Sequence, residues 1–363
     1  MPRPIRATID LEALRHNYRI ARQKAGQARA YAVVKANAYG HGLDRALQAL
    51  GDVADGFALL DLAEAREVRA FGLHQPIVLL EGFFEPADLA EVERLQLTPA
   101  IHNKAQIKML EQARLETPID VLLKVNSGMN RLGFDGERFE AALARLRAIP
   151  AVRQITLMTH FPRADEPAGI SAPLTTFKHI TASAGAGLPL CLANSATLLR
   201  FPEAAGQIVR PGIMLYGGSP MPELHSAEKL GLKPVMTLSS EIIGVQQLKA
   251  GDAVGYGATF VADGAMRVGV VACGYADGYP RHAPTGTPIL VNGRRSRVLG
   301  RVSMDMLACD LTHLPEAGVG TPVTLWGDGL PADEVASAAG TISYELFCAL
   351  ARRVPVQIRR ARI

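Results

Sequence analysis

Eight short apolar runs, spread at near-regular intervals over the first two-thirds of the chain, constrain its fold more than any other feature. They occupy residues 30–34, 56–60, 76–80, 98–101, 120–125, 155–159, 189–193 and 208–210. Between them lie amphipathic stretches rich in Ala, Leu, Glu and Arg, such as 44–50, 62–71, 86–95 and 139–148, which read as helices. A brief apolar strand followed by a helix, repeated, is the grammar of a parallel sheet covered by helices. Eight such units between Ala7 and about Tyr216 predict an α/β TIM-type (β/α)8 barrel. A doubly wound open sheet has the same local pattern, because periodicity does not report closure.

After Gly217 the grammar changes. Alternating segments at 236–245, 267–272, 288–290 and 322–325 are separated by Gly251-Asp252, Asp263-Gly264 and Asn292-Gly293, which are turn signals. A mainly β C-terminal domain is expected, with one helix near 342–352. The expected division is 1–228 for the barrel and 229–363 for the β domain. A chain of 363 residues with 48% hydrophobic and 20% charged residues suits two globular domains.

The formal net charge is +4, and the basic residues are scattered with no Lys/Arg run interleaved with aromatics, so no nucleic-acid partner is expected. No window is apolar enough to span a bilayer, and Met1 to Asp10 lacks a signal-peptide core, so no membrane partner is expected either. Cys191, Cys273, Cys309 and Cys348 stand far apart without C-x-x-C or zinc-like spacing. They read as reduced thiols in a cytoplasmic protein with no metal.

The chemistry-bearing segment is Val33-Val34-Lys35-Ala36-Asn37-Ala38-Tyr39-Gly40-His41-Gly42. It puts a lysine at the carboxyl end of a barrel strand, where such barrels keep their active sites. A desolvated lysine there can form a Schiff base with an aldehyde cofactor. From position alone, a strand-end lysine reaching to solvent is the simpler reading.

With this segment, and with Lys124 to Phe134, Met158-Thr159-His160-Phe161, Asn194-Ser195-Ala196, Val209 to Ile213, Gly255-Tyr256-Gly257, Gly274 to Gly278, Gly300 to Asp305 and Thr341 to Glu345 in order, the chain resembles the alanine racemase family. The resemblance covers nearly the whole chain. It implies a pyridoxal 5'-phosphate-dependent enzyme that interconverts L- and D-alanine, for peptidoglycan precursors or for alanine catabolism, as a homodimer with shared active sites.

The same resemblance implies the roles. Lys35 holds the cofactor and acts as one base, and the opposite base is Tyr256 from the other subunit. Tyr39, Ser195, Gly212, Ile213 through its main chain, and Tyr344 bind the phosphate. Arg210 faces the pyridine nitrogen, oriented by His160, and a protonated arginine there weakens the ring as an electron sink. Arg131 and the Met304 main chain meet the substrate carboxylate, and Lys124 carries a carbamate that steadies Arg131. Tyr275, Arg281 and Tyr344 line the access corridor, and Leu80 lies near the ring. By residue type alone, Tyr256 reads equally as a surface tyrosine in a turn and His160 as a satisfied strand-end histidine.

Two strings depart from the family's commonest form: Asn126-Ser127 stands where Asp-Thr is frequent, and Ser303 where cysteine is frequent. Neither change removes an acid, a base or a phosphate donor. A decarboxylase on the same barrel is the first rival reading, and Arg210 and Tyr256 argue against it. A cofactor carrier without turnover is the second, and residues 229–363 argue against that. A broad-spectrum racemase is the third, and it is often exported.

Overall fold

The computed structural model describes residues 3–359. Eight parallel strands lie where the apolar runs fall: Arg29–Val33, Gly56–Leu59, Ile77–Leu79, Leu97–Ile101, Ile119–Lys124, Val152–Met158, Leu190–Cys191 and Ile208–Val209. Each of the first six pairs with the next, and Ile208–Val209 returns to Arg29–Val33 through the register Arg29↔Ile208 and Ala30↔Val209. Closure between the last two strands comes from the parallel bridge Asn194↔Arg210, with the Arg210 N–H donating to Ala193 at 2.8 Å. The open sheet is thereby excluded. Strands buried on both faces need continuous apolar runs, and Gly56–Leu59 and Ile77–Leu79 are buried at every position.

Three helices that follow barrel strands start at side-chain caps. Asp61, Asn103 and Asn194 accept from Ala63, Gln106 and Thr197. Such caps contribute about 1 kcal/mol each. They also fix where the chain leaves the barrel mouth.

The second sheet has eight strands, in the order Met266–Val271, Leu307–Asp310, Arg294–Leu299, Pro288–Val291, Pro322–Trp326, Met236–Leu248, Arg6–Ile9, Val356–Ile358. The expected division kept residues 1–228 with the barrel, yet Arg6–Ile9 lies in this other sheet. It pairs antiparallel with Met236–Leu248 and parallel with Val356–Ile358. The reason is physical: Ala7 and Ile9 offer one apolar face to whichever sheet is nearest, and nothing local says which. Met236–Leu248 shifts register between Ile242 and Gly244, a bulge that lets one strand serve two sets of neighbours.

The expected helix at 342–352 is shorter, Ser343–Cys348, and a further helix, Ala332–Ala338, precedes it. Among the described residues no helix is long and apolar enough to cross a membrane.

Candidate active site

Lys35 leaves the strand Arg29–Val33 into a turn of unusual hand. Ala36, Asn37, Ala38 and Tyr39 all have positive φ, between 52° and 55°. Left-handed conformation costs an L-residue about 1–2 kcal/mol, so four in succession persist only if tied down from outside. The Asn37 N–H donates to Glu64 Oε1 at 3.0 Å, and Asn37 Oδ1 accepts from Leu43 at 2.8 Å. At Gly40 (φ 77°) the helix Ser343–Cys348 approaches so closely that a Cβ would lie 2.1 Å from the Phe347 carbonyl oxygen. The C-terminal domain thus pins the lysine's turn.

Lys35 opens into a cleft of about 1690 Å³ at the barrel mouth, lined also by Lys124, Arg131, His160 and Arg210. Burial, with Arg131 adding to it, lowers the Lys35 pKa and favours the free amine. Burial together with Arg210 and Arg131 brings Lys124 down to about 8. Burial and then Arg210 hold His160 at about 3, so its imidazole is neutral. The Glu81 carboxylate opposes these effects at both lysines. The cleft is a site for anions.

The Arg210 guanidinium is buried against main-chain acceptors. Nη1 donates to the Cys191 carbonyl at 2.6 Å and Nη2 to the Thr159 carbonyl at 2.9 Å. Its Nε makes no hydrogen bond among the described residues. The resemblance made His160 its orienting partner, but no hydrogen bond joins the two. His160 Nε2 lies 3.5 Å from Asn194 Nδ2, and the Arg210 charge acts on the imidazole through space, disfavouring its protonation.

A second group gathers at one end of the cleft. The Gly212 N–H donates to Ser195 Oγ at 2.8 Å. Gly212 is cradled so tightly that a Cβ would lie 2.7 Å from the Tyr39 hydroxyl oxygen. Tyr39 stacks on Tyr216 at 4.8 Å and lies 5.9 Å from Tyr344. Burial raises the pKa of both Tyr39 and Tyr344, which keeps their hydroxyls protonated as donors. The Ile213 N–H has no partner among the described residues. Hydroxyls and a free N–H around a glycine suit a phosphate group.

Leu80 lines the same cleft. Lys124 is buried and Arg131 exposed, with no hydrogen bond between them. The departing string keeps its loop: Asn126 Oδ1 accepts from Gly128 and Asn130, and Ser127 Oγ pairs with Thr159 Oγ1 at 2.7 Å. Glu64 and Glu81 escaped the sequence reading, since carboxylates after a strand carry no distinctive spacing.

Tyr256 and Met304 do not join this cleft. Tyr256 tops a two-stranded ribbon, Ala253–Val254 with Phe260–Val261, and is 72% exposed. Its flanking glycines, Gly255 and Gly257, lie against Arg301, and Met304, three residues further on, is 53% exposed. Tyr275 and Arg281 are also exposed on this domain, whereas Tyr344 lines the cleft.

A barrel mouth with a desolvated lysine, a fixed arginine and an anion cradle, roofed by a second domain, is the site of an enzyme. Family models match twice: alanine racemase, N-terminal domain, over residues 9–220, and alanine racemase, C-terminal domain, over residues 235–358. The chain is 55% identical to an alanine racemase of Erwinia tasmaniensis over 357 residues, 98% of this chain and 99% of the relative. It superposes on a biosynthetic alanine racemase from Pseudomonas aeruginosa with a TM-score of 0.95 at 49% identity, covering 99% of this chain and 100% of the other. It also superposes on an alanine racemase from Bartonella henselae with covalently bound pyridoxal phosphate, with a TM-score of 0.88 at 26% identity, over 99% and 100% of the two chains. The chain belongs to the alanine racemase family, and its class of activity is that of an amino-acid racemase.

Proposed function

We propose that the chain interconverts L- and D-alanine with pyridoxal phosphate held on Lys35, in a homodimer whose two sites each draw on both subunits. The observation that carries this reading is an asymmetry within one chain. Lys35, Arg210 and the Gly212 cradle converge on a single cleft, while Tyr256 and Met304 stand exposed outside it. The Gly212 cradle, with Ser195, Tyr39, Tyr344 and the Ile213 N–H as donors, fits the cofactor's phosphate. The Bartonella henselae relative, described with the same cofactor covalently bound, supports this assignment.

When bound, the cofactor supplies an aldehyde that links to amines and a conjugated ring that takes electron density from the α-carbon. The chain supplies the rest. Lys35, with its lowered pKa, is nucleophilic enough to hold the aldehyde and basic enough to take or return the α-proton on one face. Tyr256 of the partner subunit does the same on the other face. Arg210, whose Nε is unpartnered, would supply the ring nitrogen with a fixed positive charge, which would limit how far electron density drains from the α-carbon. Arg131 and the Met304 main chain hold the substrate carboxylate.

Lys124 suits carbamylation, because a pKa near 8 leaves much neutral amine and its neighbours are cations. Its nitrogen adds to carbon dioxide and one proton leaves to solvent, which turns a charge that repels Arg131 into one that attracts it. Four unpaired cysteines support a reducing compartment, which we take to be the cytoplasm.

The test is α-proton exchange by NMR in D2O with each alanine enantiomer. Wild type should exchange and invert both, and Tyr256→Phe and Lys35→Ala should each lose inversion. Mixing the two variants, unfolded and refolded together, should restore about a quarter of wild-type sites if each site uses both subunits. A mixture that stays inactive, or a Tyr256→Phe enzyme that racemises normally, would refute the shared-site mechanism. A protein that holds the cofactor but moves no α-proton would refute the activity itself.

A further inference from the structure

The Met304 loop offers an N–H with no partner among the described residues, and the groups that hold the loop in place lie outside it. The loop rests on the segment Gly274–Asp277: the Tyr275 N–H donates to the Ser303 carbonyl and the Ala276 N–H to the Met304 carbonyl, both at 3.0 Å. Contact is so close that a Cβ on Gly274 would lie 2.4 Å from the carbonyl oxygens of Ser303 and Met304.

That bed is organised by Asp277, whose side chain is wholly buried. Its Oδ2 accepts from the Gly274 N–H at 3.0 Å, and its two oxygens accept from Arg3 Nη1 and Nη2 at 2.8 and 3.1 Å. Arg353 Nε adds a bond of 2.7 Å to Oδ1. Both arginines then reach past Asp277 to the loop itself. Arg3 Nη2 donates to the Asp305 carbonyl at 2.7 Å, and Arg353 Nη2 to the Asp305 carboxylate at 2.6 Å. One buried carboxylate therefore joins residues from positions 3, 277, 305 and 353 around the loop. Bidentate arginine pairs of this kind restrict geometry as well as add attraction.

We infer that Asp277, with Arg3 and Arg353, is a positioning cluster that presents the Met304 N–H to the substrate carboxylate. The inference rests on the reading above in which that N–H meets the carboxylate in the partner subunit's site. Such a contact binds ground state and transition state alike, so its loss raises KM and leaves kcat nearly unchanged.

The experiment compares steady-state constants for both alanine enantiomers in the holoenzyme, with the dimer checked by size-exclusion chromatography. Asp277→Asn should raise KM about tenfold, and Arg3→Gln and Arg353→Gln about threefold each, with kcat within about twofold of wild type. Should Asp277→Asn fail to fold, the arginine variants carry the test, since both side chains are partly exposed. Met304→Pro, which removes the N–H, is run beside them. If it raises KM while the three cluster variants do not, the positioning inference falls and the role of Met304 stands. If it leaves KM unchanged, the role of Met304 falls and takes the inference with it. A drop in kcat at constant KM in Asp277→Asn would also overturn the inference, because the cluster would then serve the fold or Tyr256.

Discussion

The barrel mouth and the outer face of the β domain handle polar groups in opposite ways. At the mouth, Arg210 and Lys124 are buried, His160 is largely so, and Lys35 is partly desolvated. Three of these groups have lowered pKa values, and the lysine's turn is strained and pinned by a second domain. On the β face, Tyr256 and Met304 are exposed, and the strongest order sits beneath the surface in the Asp277 ion cluster. Burying charge is costly, and a protein retains it where chemistry needs a perturbed group. An exposed tyrosine on a short two-stranded ribbon suits the proposed role, in which a partner's surface covers it. The contrast teaches that one chain holds a desolvated lysine in its cleft while Tyr256 stands exposed outside that cleft, the separation on which the proposed shared site rests.

The largest effect should come from the mouth. Lys35→Ala should remove covalent cofactor binding and lower racemisation by at least about 10⁴-fold, read by polarimetry and by the absorbance of the purified protein. Substantial turnover in that variant would break the comparison at its base. Tyr256→Phe should follow, with kcat down about 10³-fold and cofactor absorbance unchanged. Loss of bound cofactor in Tyr256→Phe would mean that the β face shapes the cradle rather than supplying a base.

Strain can be tested by two glycine substitutions of the same chemistry. Gly40→Ala places a Cβ against the Phe347 carbonyl at positive φ and should destabilise on the order of 3 kcal/mol in urea unfolding, with activity lost in parallel. Gly251→Ala has positive φ but nothing within 4 Å, and should cost only about 1 kcal/mol with activity retained. Equal effects would show that the pinning of the lysine's turn carries no special energy.

The smallest effect concerns pH. The folded pKa of Lys124 is about 8, below its ordinary 10.5, so between those values the unfolded state binds more protons. Its burden on stability is full below pH 8 and is relieved as pH rises toward 10.5. In buffer freed of carbon dioxide, wild type should gain stability relative to Lys124→Met across that window. A flat difference would mean that the lysine is better solvated than its burial indicates.

Much of the site was legible because its chemistry depends on residue type at strand ends. Lys35, Arg210 and Ser195 each follow an apolar run, and a barrel brings the ends of all its strands to one mouth. His160 lies in the cleft, as the resemblance implied, but no hydrogen bond ties it to Arg210, because the arginine's main-chain partners are carbonyl oxygens that every residue possesses. Glu81 was missed for a related reason, since its importance lies in which cations face it. The left-handed turn after Lys35 was hidden as well: Ala and Tyr do not favour that region, and the ties that enforce it come from Glu64 and from Phe347, hundreds of residues downstream.

The sequence by itself determined the number and order of the barrel strands, the change to β grammar after Gly217, and the side chains available for catalysis. These follow from local periodicity and local chemistry, which neighbouring residues carry in full. Tertiary structure alone decided barrel closure, the transfer of Arg6–Ile9 to the second sheet, the hand of the lysine's turn and the joining of Arg3 to Asp277. Each of those depends on which distant group wins a contact, and the free energy that selects it is shared among residues far apart in the chain.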